Sequence, residues 1–153
     1  GMFALPAAIL ASAYYEEIQK RNFLISLETI SKVPLFEQLP VGAIGKINSK
    51  LHAVLVPPHK TIISKGEISD AMYIIEFGSV KVQLKEPVIL SAGDYFGERG
   101  LLLNETRNAS IISINEVKIL KLKKKDLLEL MSEHESLFKE LAHSSAVRSG
   151  DNY

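Results

Sequence analysis

The sequence has no cysteine, which excludes disulfides and thiolate-bound metal. That fits a reducing compartment. It also has no net charge, since eighteen acidic residues balance eighteen basic ones. A nucleic-acid-binding surface usually carries a basic excess, so the balance argues against one. The apolar run Met2–Tyr15 has fourteen residues, short of the ~20 that a membrane helix needs, and cannot cross alone. Nor does it read as a secretory signal. The charged residues Glu16, Glu17, Lys20 and Arg21 follow the run, whereas a signal carries its positive charge first. The histidines His52, His59, His134 and His143 show no metal-ligand spacing. There is no internal repeat and no low-complexity segment. Gly1 reads as an added residue before a native start at Met2.

What is present fits one folded domain with a short appendage: 153 residues, 46% apolar and 24% charged. Pro6 suits the first turn of a helix. The Met2–Tyr15 run is either a helix packed on a neighbour or the end of a membrane helix. Leu24, Ile25, Leu27 and Ile30 recur at helical spacing up to Lys32, where Pro34 stops the helix. Pro40 opens another helix to about Leu51, with Ile44, Ile47 and Leu51 on one face. Strand signals then dominate from Ala53 to Leu122: Ala53–Val56, Thr61–Ile63, Met72–Ile75, Val80–Leu84, Val88–Leu90, Ser110–Ile112 and Val117–Leu122. About eight short strands punctuated by turns predict an antiparallel jelly roll, mainly β within an α+β chain. Two helices close the chain, Asp126–Met131 and Glu135–Arg148, the latter carrying Leu137, Phe138 and Leu141. Gly150 stands where a helix would stop.

The informative stretch is Phe96–Ser110. Gly97 and Gly100 allow close backbone approach, because no Cβ intervenes. A short helix over Glu98–Leu103 would turn its first amides toward one spot, which attracts anions. Arg107 can grip a phosphate with a charge-assisted, bidentate pair of bonds. Ala109 is small enough to admit backbone donors to the same anion, and Glu98 can accept from a sugar hydroxyl. Taken alone, Glu98 and Arg107 could equally be an ordinary, partly exposed ion pair worth ~0–1 kcal/mol.

Phe96, Gly97, Glu98, Gly100, Leu101, Arg107, Ala109 and Ser110 resemble the phosphate-binding cassette of the cyclic nucleotide-binding domain. Upstream, Gly66-Glu67, Asp70, Met72–Ile75, Gly78, Val80 and Gly93 fit the same family, and the resemblance covers about Leu35 to Arg148. It implies a β-roll domain over residues 35–150 that senses cyclic AMP, or cyclic GMP, and is not an enzyme. No cofactor is implied. Arg107 would meet the cyclic phosphate with the backbone of Asn108 and Ala109. Glu98 and the Gly97 carbonyl would hold the ribose 2′-hydroxyl. Val82 and Val88 would wall the purine, and Ser110 is a hydroxyl that can touch a guanine in syn. Arg148 matches a lid residue that stacks on the base, or else is a solvated arginine at a helix end. Two positions depart from the family. Arg99 replaces an apolar residue, and either turns outward or adds positive charge near the phosphate. Thr106 replaces a common proline.

Ala4–Ser12 resembles the cytoplasmic end of the inner pore helix of voltage-gated-type potassium channels. By that likeness residues 1–21 end a pore helix, or form an apolar N-terminal helix, and residues 22–34 are a helical linker. The chain would be the regulatory C-terminal part of a prokaryotic six-helix potassium channel, inside the cell at the inner membrane face. The pore domain would be its partner, membrane would be touched only through the N-terminal segment, and no nucleic acid is involved. A dimeric or tetrameric homo-oligomer is compatible with this. The alternative is a free-standing sensor, or a catabolite-activator-type regulator without its DNA reader. Such a reader is a helix-turn-helix, and only five residues follow Arg148. A cupin-type metalloenzyme would need clustered ligands that the scattered histidines do not provide. A kinase regulatory subunit usually carries two such domains and an inhibitory segment.

Overall fold

A computed structural model describes residues 30–149, with side chains described as far as Ser144. The Met2–Tyr15 run, the charged stretch after it and residues 22–29 of the expected linker lie outside the described residues, as does Gly150. A 3-10 turn at Pro34–Phe36 leads to helix α1 (Val41–Lys50). Eight strands follow: β1 (His52–Val56), β2 (Thr61–Ile63), β3 (Ala71–Phe77), β4 (Ser79–Val82), β5 (Val88–Ser91), β6 (Tyr95–Phe96), β7 (Ile111–Ser113) and β8 (Val117–Lys123). Helix α2 (Glu98–Leu103) interrupts them between β6 and β7. Helices α3 (Lys124–Glu133) and α4 (Glu135–Ser149) end the described chain.

The strands form two antiparallel sheets, β1-β8-β3-β6 and β2-β7-β4-β5, which is the expected jelly roll. The central strands of the first sheet, β8 and β3, are covered on both faces, while β1 at its edge is exposed. Along β3, Ile75 points into the roll, with Val80, Val82, Phe96, Ile111, Val117 and Ile119. Met72 and Ile74 point the other way, into a helical layer with Ile44, Ile47, Leu127, Leu130, Leu137 and Leu141. Period-two alternation puts neighbouring residues on opposite faces. A strand buried on both sides therefore reads as an unbroken apolar run, as Met72–Ile75 does.

The differences from expectation are local. β4 ends at Val82 rather than Leu84: Gln83 N–H still bonds the Ser110 carbonyl at 2.8 Å, but Leu84 N–H turns back to the Val82 carbonyl at 3.1 Å and the chain leaves the ladder. β7 starts one residue late, at Ile111, and Ser110 Oγ accepts from the Lys65 N–H at 2.9 Å. Phe138 is 52% exposed while Leu137 and Leu141 are buried. One residue along a helix is about 100° of rotation, which carries Phe138 off the packed face. The same helical layer takes in Ile30, Val33, Leu35 and Phe36. The N-terminal turn, α4 and the first sheet thus share one core.

Candidate functional site

The site is built where β6 stops. Phe96 is fully buried and stacks on Tyr73, ring centroids 5.2 Å apart. Gly97 follows with φ +90°, a left-handed conformation that L side chains rarely adopt. Here glycine is also a spatial need: a Cβ would stand 2.9 Å from Arg107 Nη1 and 3.2 Å from the Ala71 carbonyl oxygen. Three residues on, a Cβ at Gly100 would fall 2.0 Å from Ser69 Oγ. Ser69 Oγ in turn donates to the Glu105 carbonyl at 2.6 Å. α2 is thereby pressed onto the loop before β3, and its C-terminal turn is fixed with it.

Arg107 is held at its backbone first. Its N–H bonds the Glu67 carbonyl and its carbonyl accepts from the Gly66 N–H, both at 2.8 Å. The side chain is buried, and its guanidinium donates to Gly97 O at 2.7 Å from Nη1 and to Ala71 O at 2.5 Å from Nη2. Burial pushes its pKa down, while Tyr73, Asp70, Glu67 and Glu98 push the other way. A guanidinium has five N–H donors, so two anchoring bonds leave capacity for an anion. Burial also raises the pKa of Tyr73, with Asp70 adding to the effect and Arg107 opposing it.

Gly97, Arg99, Gly100, Arg107, Asn108 and Ala109 line one cleft, completed by Ile63, Thr106 and Ile111. Six of the residues expected at the site therefore come together. Glu98 is fully buried at the start of α2, and Ser144 Oγ on α4 donates to its Oε1 at 3.2 Å. Val82 and Val88 pair across β4 and β5 and pack with the roll core, outside the cleft lining. Ser110 also lies outside that lining, its Oγ engaged by Lys65. The Arg148 side chain lies outside the described residues. Sequence reasoning missed Ile63 and Ile111, whose apolar identity carried only a strand signal, and Ser144, which nothing in its neighbourhood marks. Among the described residues no cluster could hold a metal ion.

The family model for the cyclic nucleotide-binding domain matches residues 53–134, more than half of the chain. The chain belongs to this family. Within the cyclic nucleotide-binding domain family it is similar to a cyclic nucleotide-gated potassium channel of Rhizobium etli, 34% identical over 98% of this chain and 42% of the relative. A second such channel, from Mesorhizobium japonicum, is 35% identical over 86% of this chain and 37% of its own length. The chain thus spans about two fifths of these channels. The regulatory domain of Toxoplasma gondii protein kinase A, solved with cyclic AMP, superimposes with a TM-score of 0.74 over 85% of this chain and 52% of that one. At 24% identity it speaks for the fold alone.

Proposed function

We propose that this chain binds a cyclic nucleotide, cyclic AMP or cyclic GMP, and works as the ligand-sensing regulatory part of a potassium channel. The observation that carries this is Arg107: a buried guanidinium beside the cleft, anchored by two neutral carbonyls. A cation held by dipoles keeps its charge for an anion. Beside it Glu98 offers carboxylate oxygens suited to a ribose hydroxyl, and Asn108 and Ala109 bring backbone to the same cleft. The similarity to bacterial channels supports the setting, at the inner face of the cell membrane. In this role the chain binds its ligand without transforming it and needs no cofactor.

The mechanism is a population shift carried by α4. That helix touches the cassette through the Ser144–Glu98 hydrogen bond, and Leu137 and Leu141 share a core with Leu101 of α2, with Phe36 of the N-terminal turn and with Ile30 and Val33 just before it. A ribose that takes Glu98 competes with Ser144, α4 then moves over the base, with Val82, Val88, Ser110 and Arg148 at the base side, and the shared core passes the movement to the N-terminal helices. A ligand biases such an equilibrium only by its differential affinity for the two states. Switching from 1:99 to 99:1 needs roughly 10⁴-fold preference.

The test is calorimetry of the chain with cyclic AMP and cyclic GMP. Saturable binding of either at micromolar concentration is expected. Binding of neither sinks the reading.

A further inference from the structure

Arg99 sits beside Glu98 on α2, with a side chain only 11% exposed in the wall of the cleft that holds Arg107. It is therefore not turned out to solvent. Glu105 meets it at one nitrogen, Nη2, across a long 3.6 Å. Its Nε and Nη1 are buried and find no acceptor among the described residues. Buried N–H groups of a cation are costly to leave unbonded. Their surroundings are not slack: Ser69 closes on Gly100 and bonds the Glu105 carbonyl, and Glu105 N–H bonds the Gly100 carbonyl at 3.0 Å. The backbone there is thus fixed, and the Arg99 side chain has two donors left over beside an anion cleft.

We propose that Arg99 is a second phosphate-binding residue, whose guanidinium donates to one exocyclic oxygen of the ligand's phosphodiester while Arg107 takes the other. The inference rests on the cyclic nucleotide reading of this cleft. On binding, the guanidinium turns from Glu105 to the phosphate, and a donor left unbonded in the free protein gains an acceptor. Each exocyclic oxygen then has its own arginine, so the site reads the phosphate from both sides.

Two measurements decide it. The first is calorimetry of the wild type, Arg99→Met and Arg99→Lys with cyclic AMP and cyclic GMP at low and high salt, with ligand-free melting curves beside it. Arg99→Met is expected to bind five- to tenfold more weakly and to lose part of the salt dependence. Its ligand-free form should melt no lower than the wild type, because an unsatisfied buried cation has gone; a merely structural arginine would give a lower melting temperature. Arg99→Lys keeps the charge without the fork and should fall in between. A loss under twofold in Arg99→Met, with the salt dependence unchanged, overturns the inference. The second measurement uses the wild type alone, so it stands even where a variant does not fold. The Rp and Sp phosphorothioates of cyclic AMP each spoil one exocyclic oxygen, and their affinities should agree within about threefold. Discrimination beyond tenfold would leave a single arginine at the phosphate and overturn the proposal. If the wild type binds neither cyclic nucleotide, the reading of the cleft fails first; that outcome differs from one in which the wild type binds and Arg99 contributes nothing.

Discussion

Lys118 on β8 is a buried cation that meets a carboxylate: its Nζ lies 2.7 Å from Glu76 Oε2, and the two side chains are 3% and 2% exposed. Arg107 beside the cleft is a buried cation that meets two carbonyl oxygens, and among the described residues it forms no ion pair. The difference separates a charge neutralised within the architecture from one that, on the reading proposed above, is kept for a ligand. In the first sheet the pair cancels its own field and ties β3 to β8. At the cleft, dipoles orient the guanidinium without neutralising it, and the carboxylates of Asp70, Glu67 and Glu98 act on it only at a distance. Burial holds its pKa down, an electrostatic cost that a bound anion would relieve.

The largest effect is expected on the architectural side. Lys118→Met leaves Glu76 buried without its cation, which typically costs ~3–5 kcal/mol, a large part of the ~5–15 kcal/mol of a whole domain. Urea unfolding should show the loss, and Lys118→Met combined with Glu76→Leu should recover most of it. A double variant no more stable than the single one would show that the pair is not the unit. The mirror case is Arg107→Leu. Here nucleotide affinity should fall at least tenfold, ~1.4 kcal/mol. Stability should fall less, by the ~1–3 kcal/mol of leaving buried carbonyls without donors. An unchanged affinity by calorimetry would make Arg107 a tether like Lys118 and erase the distinction.

Gly97→Ala sharpens the cleft side further. The left-handed backbone costs a non-glycine residue roughly 1–2 kcal/mol, and the new methyl meets Arg107 Nη1. Both melting temperature and affinity should drop. A drop in stability with affinity intact would mean that the guanidinium can shift without harm to binding.

The roll was legible because its signals are local. Alternation and apolar runs marked seven strands, and the sequence of glycines, Glu98 and Arg107 marked the cassette. β6 escaped because two residues hold no period. Arg99 was ambiguous for a different reason: spacing on a six-residue helix does not say which side chains turn inward, and this one is only 11% exposed. The hydrogen bond from Ser144 to Glu98 spans 46 positions and left no trace in the residues around either end. Spacing names the residue types a site contains. Which donors are already engaged is settled by packing, and that decides what the site can bind.

The smallest effect tests whether distance or burial sets the worth of a charge pair. Lys46 Nζ lies 2.9 Å from Glu133 Oε1, nearly the separation of Lys118 and Glu76, yet its side chain is 38% exposed and that of Glu133 44%. Hydrogen bonding to Lys46 lowers the Glu133 pKa, so the pair's contribution is present above the carboxyl's unfolded pKa and is lost as pH falls through the lowered value. The hydrogen bond to Glu133 raises the Lys46 pKa, so at the alkaline end the contribution is full below the unfolded pKa and is lost as pH rises through the raised one. Between those limits water and salt screen the attraction. Lys46→Gln should therefore leave the melting temperature within error at neutral pH and ordinary salt, while Lys118→Met lowers it by many degrees. Equal losses from the two substitutions would mean that separation alone governs these pairs. Burial would then no longer distinguish a cation neutralised by a carboxylate, as Lys118 is, from one held by carbonyls alone, as Arg107 is.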